Sequence, residues 1–294
     1  MRFFKLFQLQ LSSKNGHLMI WTSALWFMIA VLAYSKSVSE IDSDDWPYVI
    51  KDHVGIKLQS PVDINTKYAN RRYLPFLRYF GYWAFNRAIV EITNTGHTVG
   101  VKLANNSDDV PFITGGPLFD CRYEFEQMHF HWGKNDMGSE HKVNGHKYAM
   151  EVHIVHYKKE YGSFKNAQSY SDGVCVVGFF GEISSKDNRD MDNFIADLKY
   201  IVKQKSTIVR NFKEEFSWIK KTALKQHYYT YHGSLTTKPF TECVIWIIFT
   251  KPIHISRRQL MKFRELHSSH NGVLINENDR PLQPFNNRTI VYGY

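Results

Sequence analysis

Three histidines in two neighbouring apolar segments are the residues most able to carry chemistry in this sequence. His129 and His131 are spaced by two, so on a β-strand both imidazoles leave the same face. His153 lies in the next apolar segment and can meet the other two if the segments are adjacent antiparallel strands. Three converging imidazoles make a half-cage for a borderline-soft dication, of which Zn²⁺ is the best candidate. Because no fourth ligand of similar quality is apparent, one position would remain for water or substrate, as in catalytic zinc sites.

Gln127 and Glu151 share the strand faces of these histidines and suit a supporting role. Each can accept the N–H of a metal-bound imidazole, which fixes the tautomer and orientation of the ring. The alternative for the whole group is an ordinary pair of strands with exposed histidines. Phe130 and Trp132 flank the first pair, and burial of three histidines without a partner would be costly, so the pattern favours the metal site.

The segments that must position these residues are mostly strand-like. Short β-rich runs recur between glycine and proline turn signals, whereas helical periodicity is convincing only over 191–204 and 256–267. There is no linker or repeat after the N-terminal region. The pattern predicts an α+β fold, a single domain over 46–294 built on a large, mostly antiparallel sheet with few peripheral helices.

Composition excludes several classes of protein. Of the 294 residues, 43% are hydrophobic and 22% are charged, a mixture that excludes disordered, collagen-like and coiled-coil proteins. The formal net charge of +9 comes from basic residues dispersed among acids, which argues against nucleic-acid binding. Three cysteines cannot form a disulfide framework.

The first 33 residues predict a targeting segment. An uncharged apolar run over 18–34 follows three basic residues and contains a tripeptide that resembles a signal-peptidase site. Two alternatives stay open for 1–33, a cleaved signal peptide or an uncleaved signal anchor, followed by a connector over 34–45. Both predict a protein that is secreted or lies on the extracellular face of a membrane, with membrane contact only through this segment. Sequons at Asn105 and Asn287 fit a glycoprotein on that route.

An ordered set of motifs resembles the α-class carbonic anhydrases, of the secreted or membrane-anchored type, from about Gln59 to Tyr292. In chain order, the motifs are Gln59-Ser-Pro-Val-Asp-Ile64, Asn94-Thr-Gly-His97, Gly115-Gly-Pro-Leu118, His129-Phe-His-Trp-Gly133, Gly138-Ser-Glu-His141, Tyr148-Ala-Met-Glu-Val-His153, Gly233-Ser-Leu-Thr-Thr237, Val244-Ile-Trp246 and Asn278-Asp-Arg-Pro281. Each motif alone is modest evidence, but the ordered set is highly specific. The resemblance implies a single domain on a central, twisted, mostly antiparallel ten-stranded sheet, in agreement with the strand-rich pattern.

The resemblance also implies roles for individual residues. They are zinc ligands (His129, His131, His153), residues that orient those ligands (Gln127, Glu151, Asn278), a hydroxyl–carboxylate pair that orients the nucleophile (Thr236, Glu140), a residue on the substrate side (Thr237), an apolar wall for carbon dioxide (Val155, Val176, Leu235) and a proton shuttle (His97).

The implied reaction is the reversible hydration of carbon dioxide to bicarbonate and a proton. Zinc-bound hydroxide would attack carbon dioxide, and His97 would carry the proton from zinc-bound water towards solvent. Thr236 would accept a hydrogen bond from the hydroxide and donate one to Glu140, an orientation effect. The implied cofactor is Zn²⁺, the implied partners are small molecules only, and a monomer is expected.

Two other functions compete with this hypothesis. A catalytically silent relative would bind proteins or glycans, although such domains usually lack a zinc histidine and all three are present. A different three-histidine metal enzyme, such as a hydrolase, would explain the ligands but not Thr236, Glu140 and His97 together. The sequence departs from the family pattern at Lys238, where a proline is usual, so a cis bond before Pro239 stays open.

Overall fold

The computed structural model describes residues 57–83, 88–104, 110–225, 227–270 and 272–294. The predicted targeting segment, the connector and the sequon at Asn105 lie outside the described residues. Within these ranges the strands are β1 Asp63–Ile64, β2 Asn70–Arg72, β3 Arg78–Phe80, β4 Ile89–Asn94, β5 Val99–Leu103, β6 Phe112–Thr114, β7 Tyr123–Trp132, β8 Lys142–Val143, β9 His146–Lys147, β10 Met150–Lys158, β11 Val174–Ser184, β12 Thr207–Asn211, β13 Tyr228–Gly233, β14 Val244–Ser256 and β15 Val291–Gly293.

The helices of the described ranges are short. The α-helices are α1 Phe164–Ala167, α2 Asp192–Asp197, α3 Phe212–Glu215, α4 Lys220–Ala223 and α5 Arg257–Arg264. Single 3₁₀ turns lie at Thr66–Tyr68, Gly116–Leu118, Lys134–Asp136, Lys159–Tyr161, Arg189–Met191, Leu198–Tyr200 and Ser217–Ile219. The longest of the α-helices, α5, begins at a capping box in which the Ser256 hydroxyl accepts from the backbone of Gln259 and the Gln259 side chain accepts from the backbone of Ser256.

One large sheet dominates the domain. Ten strands follow one another across it in the order β12-β4-β5-β7-β10-β11-β14-β13-β15-β2, and β3 and β6 pair beside β7 to bring the number to twelve. The pairs β11–β14 and β15–β2 are parallel, while the other pairs among the described strands of this sheet are antiparallel. The predicted α+β domain on a mostly antiparallel sheet with few helices is confirmed. The sheet has two strands more than the ten expected, namely β3 and β6.

The central strands are buried on both faces, because their sequences are nearly continuous apolar runs. In β11 the first eight residues are all buried, and in β14 the first six are buried. In β10 the polar residues Glu151 and His153 are also buried, at 0% and 1% exposure. Buried polar groups need hydrogen-bond partners or ligands, so these two positions mark the part of the sheet where function is to be sought.

The register between β7 and β10 brings the histidines together. His153 is paired with His129 and Glu151 with His131. Side chains of paired residues lie on the same face of the sheet, so all four groups meet there. The register shifts between Val155 and the next residue, which marks a β-bulge where β10 leaves the site.

His156 follows this bulge and is fully buried away from the three histidines. Its Nε2 atom lies 2.5 Å from the hydroxyl of Tyr82. Burial lowers the pKa of His156 to about 3. The imidazole is therefore neutral in the folded protein at every pH at which the protein would normally be handled.

We expect His156 to make the free energy of unfolding depend on pH. In the unfolded chain a histidine binds a proton near pH 6.5, well above the folded pKa of about 3, so this contribution to stability is full above pH 6.5 and is lost as pH falls towards 3. The slope from one group is at most about 1.4 kcal/mol per pH unit. Urea unfolding between about pH 7 and 5 should give a flatter slope for His156→Phe than for the wild type. The exposed control His254→Phe should keep the wild-type slope, and equal slopes for all three proteins would contradict this origin.

Candidate active site

The three histidines converge on one point above the sheet. The Nδ1 atom of His153 lies 3.3 Å from Nε2 of His129. One ring nitrogen from each of His129, His131 and His153 lies within 4.8 Å of the other two. His131 and His153 are buried and His129 is half-buried. The same-face spacing in the sequence and the antiparallel register of β7 and β10 together produce this cluster.

The other nitrogen of each ring is held by an acceptor. Nδ1 of His129 lies 2.9 Å from the amide oxygen of Gln127. Nδ1 of His131 lies 3.1 Å from the backbone oxygen of Asn278, and Nε2 of His153 lies 2.7 Å from the Glu151 carboxylate. Since amide, carbonyl and carboxylate oxygens accept, these three nitrogens carry the protons. The converging nitrogens are therefore the ones with free lone pairs, as metal binding requires.

The protonation of the cluster also suits a metal. Burial and the neighbouring imidazoles hold the pKa of His129 well below its usual range. For His153, burial lowers the pKa more than Glu151 raises it. Nε2 of His131 is buried and has no hydrogen-bond partner in the described part of the chain. Two imidazoles whose pKa values are lowered, beside a third ring with an orphaned buried nitrogen, fit a tetrahedral dication site with a fourth position open.

Glu140 lies beside the cluster with one of its oxygens occupied. Its Oε1 accepts a hydrogen bond of 2.8 Å from the backbone N–H of Arg280. Its Oε2 lies 3.8 Å from Nδ1 of His153 and, within the described ranges, has no hydrogen-bond partner. The hydrogen bond from Thr236 to Glu140 that the resemblance implies is therefore not made in this structure. Thr236 is buried nearby and lines the same cavity as His153.

A cavity of about 300 Å³ opens over the cluster. Its lining comprises Gln127, His129, His153, Val155, Phe164, Gln168, Val176, Leu235, Thr236, Thr237, Lys238, Pro239 and Trp246. The apolar residues Val155, Val176 and Leu235 thus lie in the same lining as His129 and His153. The Lys238–Pro239 peptide bond in this lining is cis.

His97 lies outside this lining, exposed on the turn between β4 and β5. Gly96 before it has φ of +85°, which glycine adopts without strain, and its N–H donates to the Asn94 side chain at 2.8 Å. The backbone oxygen of His97 accepts a hydrogen bond of 2.9 Å from the side chain of Asn278. Asn278 therefore connects the His97 turn to the cluster, because its side chain contacts His97 and its backbone oxygen accepts from His131.

Sequence reasoning missed a buried network behind His153. The Nδ1 atom of His141 lies 2.7 Å from Glu151, and its Nε2 lies 2.6 Å from the Tyr231 hydroxyl. That hydroxyl lies 2.8 Å from Ser60 Oγ. Burial alone would raise the pKa of Glu151, but the two histidines beside it hold that pKa well below its usual range. The ionised carboxylate can thus orient His153. Three of these residues lie in motifs already noted, Ser60 in the first, His141 in the fifth and Glu151 in the sixth, whereas Tyr231 lies just before the seventh, and spacing alone could not connect them.

The fold and this site define the class of the protein. The family model of the eukaryotic-type carbonic anhydrases matches residues 41–294, and the chain belongs to that family. It is therefore an enzyme, a lyase whose family hydrates carbon dioxide.

Individual carbonic anhydrases resemble the chain over most of their length. Carbonic anhydrase 7 of Mus musculus is 40% identical over 244 residues, which cover 80% of this chain and 88% of the relative. Carbonic anhydrase 3 of Bos taurus is 34% identical over 255 residues, which cover 85% of this chain and 95% of the relative.

The predicted location, secreted or on the extracellular face of a membrane, is wrong. These relatives are cytosolic carbonic anhydrases, so neither the secreted or membrane-anchored type nor the signal and glycoprotein predictions have support. Among the helices of the described ranges, none has the length and apolar character needed to cross a membrane. The prediction depended on local features, namely the apolar run over 18–34, its basic flank, a signal-peptidase-like tripeptide and two sequons, and the 17-residue run is short for a membrane span. Hydropathy reports that a segment prefers apolar surroundings but not where the protein resides.

Proposed function

We propose that this carbonic anhydrase holds Zn²⁺ on His129, His131 and His153 and releases its proton through His97. The observation that carries the proposal is the convergence of three ring nitrogens, each on a ring whose other nitrogen has an acceptor. When bound, zinc would lower the pKa of a coordinated water to about 7, a value best known from carbonic anhydrase itself, and so supply a nucleophile at neutral pH. All the proposed ligands come from one chain, consistent with a monomer that acts on small molecules.

Spectroscopy of the cobalt form tests the metal site independently of turnover. Co²⁺ on three nitrogens and one water should give the intense visible absorption of a tetrahedral complex, because the geometry is set by the same three rings. The spectrum should titrate to one Co²⁺ per chain. A weak octahedral spectrum, or no binding, would contradict the assigned ligands.

The apolar wall is proposed to hold carbon dioxide next to the reacting centre. Val155, Val176 and Leu235 present only hydrocarbon to the cavity, which suits a small molecule without charge and displaces water from the place where it would compete. Thr237, in the same lining, would donate its hydroxyl proton to an oxygen of bicarbonate. These residues bind and place the substrate and product but exchange no protons with them.

Thr236 and Glu140 are proposed to orient the nucleophile. Among the described residues, Oε2 of Glu140 is a buried acceptor without a hydrogen-bond partner, so it is the natural acceptor for the Thr236 hydroxyl proton. A hydroxyl that has donated its proton can only accept a further hydrogen bond. Thr236 would therefore fix the direction of the nucleophile rather than take part in bond formation.

His97 is proposed to move the proton from the site to solvent. It is exposed on the turn between β4 and β5, and imidazole is the side chain suited to proton transfer at physiological pH. Because it lies outside the cavity lining, water would have to connect it to the centre. The backbone contact to Asn278 fixes the turn on which it is carried.

We expect His97→Ala to slow proton release without changing the interconversion of carbon dioxide and bicarbonate. Exchange of ¹⁸O at chemical equilibrium should stay almost unchanged, whereas steady-state hydration in dilute buffer should fall about severalfold or more. Imidazole buffer should restore much of the loss in the variant and do less for the wild type. His254→Ala removes another exposed histidine and should behave as the wild type. Equal steady-state rates for wild type and His97→Ala in dilute buffer would show that His97 carries no proton traffic.

A further inference from the structure

A single cationic side chain stands at the rim of the cavity. Lys238 is exposed, and it is the only Lys, Arg, Asp or Glu among the residues that line the cavity. Its backbone position is fixed by a tight turn in which the N–H of Phe240 donates to the oxygen of Thr237 at 2.9 Å. The side chain of Lys238 therefore starts one residue from Thr237, in the lining of the cavity and on its solvent-exposed side.

The surroundings of Lys238 make this charge effective. The lining offers no carboxylate to neutralise it, and Phe164, Leu235 and Val176 supply low-dielectric walls. A cleft with charge of one sign and apolar walls concentrates the field and raises the local concentration of counter-ions. At a separation of about 8 Å, a unit positive charge raises the affinity for a monoanion about twofold in bulk water and by more in a lower dielectric. Carbon dioxide is neutral and does not experience this attraction.

We propose that Lys238 is a specificity-determining residue that draws bicarbonate and other small anions to the cavity mouth. Thr237 beside it would offer a neutral hydroxyl to the same anion. This inference rests on the proposed function of the cavity. With Lys238, the cavity would bind anions more tightly than it would with a neutral residue at this position, while its affinity for carbon dioxide would be the same.

Anion inhibition measures this role. In hydration assays near pH 7 and about 10 mM ionic strength, where the screening length is about 30 Å, Lys238→Gln should raise the inhibition constants of bicarbonate and thiocyanate about threefold. Lys238→Arg keeps the charge and should stay close to the wild type. Lys186→Gln removes an exposed lysine outside the cavity lining, matches the change in net charge and should also leave both constants unchanged. The value of kcat/KM for neutral carbon dioxide near pH 9 should stay within about twofold in Lys238→Gln.

Two results of these assays would overturn the proposal. One is equal inhibition constants for Lys238→Gln and the wild type. The other is an equal increase in Lys238→Gln and Lys186→Gln, which would show that net charge and not position matters.

A second readout separates this inference from the proposed function. Reductive ¹³C-methylation keeps the charge of lysines and gives each a resonance, and the Lys238 resonance is the one absent from Lys238→Gln. Sodium bicarbonate should shift this resonance with saturation in both the zinc-loaded and the zinc-free protein, even if hydration activity is absent. No bicarbonate-dependent shift of the Lys238 resonance in either form would overturn the proposal whatever the enzyme's activity.

Discussion

His131→Ala and His153→Ala should each lose bound zinc and about a thousandfold or more of the hydration rate. Each substitution removes one of three nitrogens that lie within 4.8 Å of one another, and two nitrogens cannot hold the metal in the geometry that activates water. His131 and His153 lie on different strands. Equal losses in both variants would therefore show that the two strands bind one metal together.

A buried histidine outside the cluster provides the control for these variants. His156 lies on the same strand as His153, three residues further, but contacts Tyr82 and does not line the cavity. His156→Phe should retain one zinc per chain and most of the activity, with circular dichroism to verify that all variants are folded. Stoichiometric zinc together with near-normal turnover in either ligand variant would refute the assigned site.

Thr236→Val should keep zinc but lower the hydration rate by about a hundredfold, the scale of losing one oriented polar contact in an active site. Valine keeps the branched shape of threonine and removes only the hydroxyl, so the histidine cluster should be undisturbed. The measurement is stopped-flow hydration together with metal analysis of the same sample.

Thr236→Ser is the matched variant, because serine restores the hydroxyl without the methyl group. It should recover most of the rate that Thr236→Val loses. Loss of zinc from Thr236→Val, or full activity in it, would contradict the proposed role. Glu140→Gln, measured in the same assay, tests whether Oε2 of Glu140 accepts the hydrogen bond from the Thr236 hydroxyl. If it does, Glu140→Gln should lower the hydration rate as Thr236→Val does.

Residue spacing predicted the histidine cluster, because the positions of these side chains follow from strand geometry. A spacing of two places His129 and His131 on one face, and the turn-rich segment before β10 predicts the antiparallel neighbour that brings His153 opposite them. Hydrophobic runs likewise predicted the large sheet, because strands buried on both faces need nearly continuous apolar sequence. The short pair β3 and β6 was not predicted, since three-residue strands carry too little periodicity.

Contacts between distant parts of the chain could not be predicted from spacing. The backbone oxygen of Asn278 supports His131 across 147 positions, and the backbone N–H of Arg280 occupies Glu140 across 140. A backbone group carries no residue-type signal, so only the resemblance pointed to Asn278, and nothing pointed to Arg280. The error over cellular location has a different cause, because it rested on a segment that lies outside the described residues.

The claim that hydration depends on zinc at the three-histidine site can be measured by reconstitution. The zinc-free protein is titrated with Zn²⁺ while the stopped-flow rate of carbon dioxide hydration is followed at each addition. The claim predicts negligible activity without metal, a linear rise and a sharp end point at one Zn²⁺ per chain, as expected for tight binding to a preformed three-histidine site. Full hydration activity in the zinc-free protein, or stoichiometric zinc binding without any hydration, would contradict it.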